Sequence, residues 1–177
     1  SWLRTWGLAD ERRFWGDRLY WGPFLIFSVT MFGYWLAPIS TAILVILWDH
    51  QHSIMQQHGF ARIYDFRGRT GLSSTGWWDL LLGWLLFGHM LLSSPMFVFP
   101  LVRELHRLRL PISAEVVQGV VLASRWVLIV YLLLYLGHLI VTVRRGGSLN
   151  PVKYLFLGAS YFLWYFCAWH TASVLVW

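Results

Sequence analysis

Four long stretches of this chain carry almost no charge, and each is about as long as a bilayer's apolar layer is thick. They are residues 24–48, 77–99, 115–143 and 152–177. A helix rises 1.5 Å per residue, so about 20 apolar residues cross the roughly 30 Å hydrocarbon layer. Backbone placed there must satisfy its own hydrogen bonds, and a single apolar segment does so only as a helix. The sequence therefore predicts an all-α fold: a polytopic integral membrane helical bundle of about four transmembrane helices plus interfacial amphipathic segments.

Composition agrees with that reading. Only 12% of the 177 residues are charged and 58% are hydrophobic, where a soluble domain carries about 25% charge. These figures exclude a disordered chain and a coiled coil, and they count against a soluble globular enzyme. Thirteen Trp residues fit a chain with many ring systems at a membrane–water interface. The net charge of +6 sits in short Arg clusters between the apolar runs, where a polytopic protein meets lipid headgroups. The lipid bilayer is thus the expected partner, and nucleic acid is not. One cysteine, Cys167, allows no intrachain disulfide. Basic residues divide almost evenly between alternate connections, so the positive-inside rule sets no orientation.

The connections hold the turn formers. Gly68, Gly71, Ser73, Ser74 and Gly76 precede the second run, and Gly146, Gly147, Asn150 and Pro151 separate the third from the fourth. Pro38 lies inside the first run and Pro95 near the end of the second. Residues 101–110, bracketed by Pro100 and Pro111, interleave Arg103, Glu104, His106, Arg107 and Arg109 with Leu and Val, as an interfacial helix does. Residues 1–22 mix Trp and Arg in a second interfacial segment. The whole is expected to be a single transmembrane domain, 1–177. The last apolar run has no polar flank, so the chain is expected to be a fragment of a longer polytopic protein.

Seven histidines are where the remaining polarity concentrates. Ionisable groups inside a span are costly and mark function by default, and imidazole is a common metal and haem ligand. His50, His52 and His58 follow the first run, while His89, His138 and His170 fall inside the others. His106 lies on the basic interfacial segment and reads as a surface residue. On a continued helix, Asp49, His52 and Gln56 share one face, which places Asp49 to orient a metal-bound His52. Tyr64 and Asp65 close the same polar run. Counting the rise from each helix end gives two groupings: His50, His52, His58 and His138 near one face, and His89 with His170 deeper.

The segment 48–65 reads W-x-x-x-H-x-x-x-Q-Q-H-G-F-x-R-x-Y-D. It resembles large His-rich bacterial polytopic membrane proteins. More remotely it is similar to Brp/Blh-type β-carotene dioxygenases and to the membrane desaturase and hydroxylase group, although the chain has no H-x-x-H-H box. The resemblance implies non-haem iron held by His52 and His58, with His138 and His170 as later ligands. It also implies an oxidoreductase acting on an apolar or lipidic small molecule, in a bacterial inner membrane.

Three functions follow as expectations. The first is an iron-dependent membrane oxidoreductase with metal ligands drawn from His52, His58, His138, His50, His170 and His89, supported by Asp49, Gln56, Tyr64 and Asp65. The second is a non-enzymatic membrane component, such as a transporter part or a pigment-complex subunit. The third is a haem b electron-transfer protein with bis-His ligation by His89 and His170.

Overall fold

The computed structural model describes residues 13, 16–110 and 112–170. Most of the expected interfacial segment 1–22, and the end of the fourth apolar run, lie outside the described residues. Among the described residues there are six helices and no strands: α1 (Arg18–Leu36), α2 (Pro38–Gly68), α3 (Thr75–Ser93), α4 (Pro95–Arg107), α5 (Ala114–Arg144) and α6 (Pro151–His170). The all-α expectation holds. The chain divides into two compact units, Ser1–Ala42 and Ile43–Trp177, with the boundary inside α2.

Of the four expected spans, the first two are interrupted. Proline is the reason in both cases. A proline disfavours helical backbone in the residue before it and has no N–H of its own. Ahead of Pro38, Ala37 leaves the helical region (φ −148°, ψ 74°) and ends α1. Ahead of Pro95, Ser94 is extended (φ −77°, ψ 119°), and α3 and α4 meet at a 70° bend. The expected interfacial helix 101–110 is therefore the second half of a longer one that starts at Pro95 and contains Pro100. It stops where Arg109 turns left-handed (φ 61°).

Among the described residues, α5 alone is long and apolar enough to cross a bilayer, and the bent α3–α4 pair passes the same test only when taken together. The apolar window of α5 is 22% buried. That sets it apart from the enclosed core helix of a globular domain, because Trp126, Leu133, Leu136 and Ile140 all face outward. Ser113 caps its start, accepting from the Val116 N–H.

In the first unit, the Ala37 N–H still donates to the Gly33 carbonyl at 2.8 Å, and Thr30 Oγ1 bonds back to Ile26 at 2.8 Å. The second unit is built on α3. This helix packs most extensively against α5, through Leu82, Tyr131 and Tyr135 with Trp78 beside them. A second cluster joins Ile54 of α2 to Phe87 and Met90 of α3, with Tyr161 and Trp164 of α6 against it. Together the two clusters bring the C-terminal half of α2, the start of α3, the later half of α5 and the start of α6 to a common place.

Candidate functional site

At that place lies a buried charge network. Lys153, the chain's single lysine among fourteen basic residues, is fully buried. Its Nζ donates to Asp65 Oδ2 of α2 at 3.0 Å and to Asp79 Oδ2 of α3 at 3.0 Å. Both carboxylates are themselves buried. Arg62 Nη1 reaches Asp65 Oδ2 at 2.9 Å and lies 3.9 Å from Asp79 Oδ2. The remaining carboxylate oxygens are also satisfied: Tyr135 of α5 donates to Asp79 Oδ1 at 2.6 Å, and Thr70 donates to Asp65 Oδ1 at 3.0 Å. Two cations thus balance two carboxylates. A buried ion removed from water is tolerated only when it is paired and hydrogen-bonded in this way.

Local sequence explains how the groups arrive. Pro151 opens α6 at the position where a missing N–H costs nothing. Asn150 caps it, its Oδ1 accepting from Val152 N at 3.0 Å and Lys153 N at 3.4 Å. The Asn150 Nδ2 donates to the Tyr64 carbonyl at 3.0 Å, one residue before Asp65. The Gly71 N–H donates to the Ser148 carbonyl at 3.0 Å and joins the two connecting loops. A Cβ on Gly68 would come within 2.9 Å of Asn150 Nδ2, so the bare backbone there permits the approach.

The network has two sides. An open groove of about 860 Å³, lined by Arg62, Asp65, Arg67, Arg69 and Thr70, reaches it from outside. Arg62 stands there, its side chain 36% exposed. On the other side is a small cavity of about 10 Å³, about one water molecule's room. Its lining includes Gln57, His58, Asp79 and Tyr161. His58 Nδ1 and Gln57 Oε1 are buried there without a hydrogen-bond partner among the described residues. Burial, reinforced by the Arg62 charge and opposed by Asp79, lowers the His58 pKa below its ordinary value.

The expected histidine groupings do not form a centre among the described residues. No three His, Cys, Asp or Glu side chains come together there to hold a metal ion. His50 Nδ1 bonds the Ile46 carbonyl at 2.8 Å, and its ring lies 5.2 Å from Trp164. His52 is exposed, and its Nε2 lies 2.6 Å from Gln56 Nε2. Asp49, expected to orient His52, is exposed, and Gln56 takes that place because i,i+4 side chains meet on a helix. His138 Nε2 meets Thr75 Oγ1 at 3.2 Å, and the ring stacks on Trp78 at 4.8 Å. His89 Nδ1 meets Ser124 Oγ of α5 at 2.8 Å. The His170 side chain lies outside the described residues, and so does any pairing with His89. His106 is exposed, as expected. Tyr64 contributes its carbonyl to Asn150 and its ring to Phe156 at 5.6 Å.

Of the expected supporting residues, only Asp65 enters the network. Sequence reasoning passed over Lys153, Asp79 and Tyr135 as site residues. The signal was present: a lone lysine and an aspartate, each placed within a few residues of the start of an apolar run. Comparison with known protein families, characterised proteins and solved structures finds no match to this chain.

Proposed function

We propose that the protein is an integral membrane component of the transporter-part kind, not an enzyme, and that Asp65, Asp79 and Lys153 form its proton-responsive centre. One observation carries this reading: a fully buried ammonium held at 3.0 Å by carboxylates from two other helices. Ionisable groups inside apolar helical bundles are expensive and serve ion pathways and proton relays. Here the pairing also joins α6 to α2 and α3. If either carboxylate takes up a proton, Lys153 loses half of its charge compensation. An uncompensated buried cation is unstable, so the arrangement that excludes water from Lys153 becomes the less favourable one. Protonation and helix spacing are thereby linked.

The two sides of the network support the same reading. Asp65 faces the open groove and Asp79 faces the small cavity beside His58, so the ammonium stands between an outer and an inner carboxylate. The outward apolar face of α5 supports a bilayer environment. The iron-oxidoreductase expectation is not the one the geometry favours, because His50, His52, His89 and His138 are each engaged by different neighbours. A bacterial inner-membrane location rests on the sequence resemblance alone.

The test is pH-difference infrared spectroscopy on the purified protein in lipid. The proposal expects a protonated-carboxyl carbonyl band that grows on acidification and disappears in the Asp65→Asn, Asp79→Asn double variant. A spectrum identical in wild type and double variant at every pH would contradict it.

A further inference from the structure

A second cavity, separate from the charge network, lies between α3, α5 and α6. Its volume is about 360 Å³, at the lower end of the range for small-molecule sites. The wall is apolar: Phe87, Met90 and Leu128 are all buried, and Tyr161 closes one side. Its polar lining includes His89, Ser93 and Arg125. Arg125 is exposed where it lines the cavity, and no acidic side chain among the described residues pairs with it. His89 is already fixed by Ser124.

We infer that this cavity binds a single-chain amphiphile with a carboxylate head, of the free fatty acid class. The apolar wall takes the chain and the Arg125 guanidinium takes the head. A guanidinium presents a planar fork that matches a carboxylate in a bidentate pair. Arg125 also precedes the charge-free part of α5, residues 126–143. An amphiphile's head belongs at such a boundary, with its chain along the apolar side. The volume argues for one chain, since a two-chain phospholipid exceeds it. The inference is independent of the proton-responsive centre, and each stands if the other fails.

Radiolabelled palmitate binding, measured on the full chain in phosphatidylcholine nanodiscs, tests this. The expected result is saturable one-to-one binding that weakens about tenfold or more in Arg125→Gln. Hexadecanol, which has the chain without the charge, should bind equally to wild type and to Arg125→Gln. Met90→Trp, which fills the apolar wall, should abolish binding of both ligands while the thermal unfolding of the protein shows that it is folded. Four results would overturn the inference. They are non-saturable palmitate uptake, palmitate binding unchanged in Arg125→Gln, binding unchanged in folded Met90→Trp, and displacement by phosphatidylglycerol at lower concentration than by palmitate.

Discussion

Asn150 links two helices with one side chain: Oδ1 caps α6 while Nδ2 donates to the Tyr64 carbonyl of α2 at 3.0 Å. This contact sets the register in which Lys153, three residues into α6, faces Asp65. Asn150→Ala removes both halves of the link. The loss of the cap costs about 1 kcal/mol, and an unpaired Tyr64 carbonyl adds to it. Asn150→Asp keeps the cap and loses the donor, so its melting temperature in detergent should fall between those of wild type and Asn150→Ala. Equal melting of Asp and Ala variants would contradict the capping role.

Lys153→Met should be among the most damaging single changes. It leaves Asp65 and Asp79 buried together with only Arg62 nearby, and breaking a buried pair by removing one partner costs about 3–5 kcal/mol. Adding Asp65→Asn and Asp79→Asn to Lys153→Met removes the stranded charges and should restore much of that loss. Denaturant unfolding in mixed micelles measures it. A triple variant no more stable than Lys153→Met would mean that the loss is one of packing rather than charge.

Replacing His52 and His138 together with Ala should leave bound transition metal and the optical spectrum unchanged. His52 turns to Gln56, and His138 is held by Thr75 and Trp78. Metal analysis of both purified proteins checks this. A stoichiometric metal present in wild type and lost in the double variant would restore the iron reading.

The fold class was legible because apolar length is a strong signal, and α5 (Ala114–Arg144) follows the expected 115–143 almost to the residue. The breaks at Ala37 and Ser94 were harder. Membrane helices tolerate proline, so sequence alone does not decide between a kink and a stop. The site was less legible still. Seven histidines drew attention because imidazole is a versatile ligand, yet His50, His52, His89 and His138 are each engaged by a neighbour close by or across one helix contact. Asp65, Asp79 and Lys153 are 74 or more positions apart where they meet across the lysine, and no local spacing reveals that. The rule that flags intramembrane ionisable groups applied to Asp79 and Lys153 as strongly as to the histidines.

His58 gives the protein a pH dependence of its own. Its pKa is lowered in the folded state by burial first and by Arg62 second. Below the ordinary value of about 6.5, the unfolded chain therefore binds more protons than the folded one. Stability should be fully present above that pH and decline as the pH falls through the window beneath it. His58→Gln should flatten this part of the profile. A stability profile with the same slope in wild type and His58→Gln would show that another group sets it.

Protonation of the Asp65–Asp79 pair is expected to change the spacing of α6 from α2. Spin labels at Phe66→Cys and Leu155→Cys, which are 85% and 74% exposed, report that spacing directly in a Cys167→Ser background. The label-to-label distance should lengthen on acidification in the otherwise wild-type chain and should not respond to pH when Asp65→Asn and Asp79→Asn are added. One distance at both high and low pH, the same with and without the two aspartates, would contradict it.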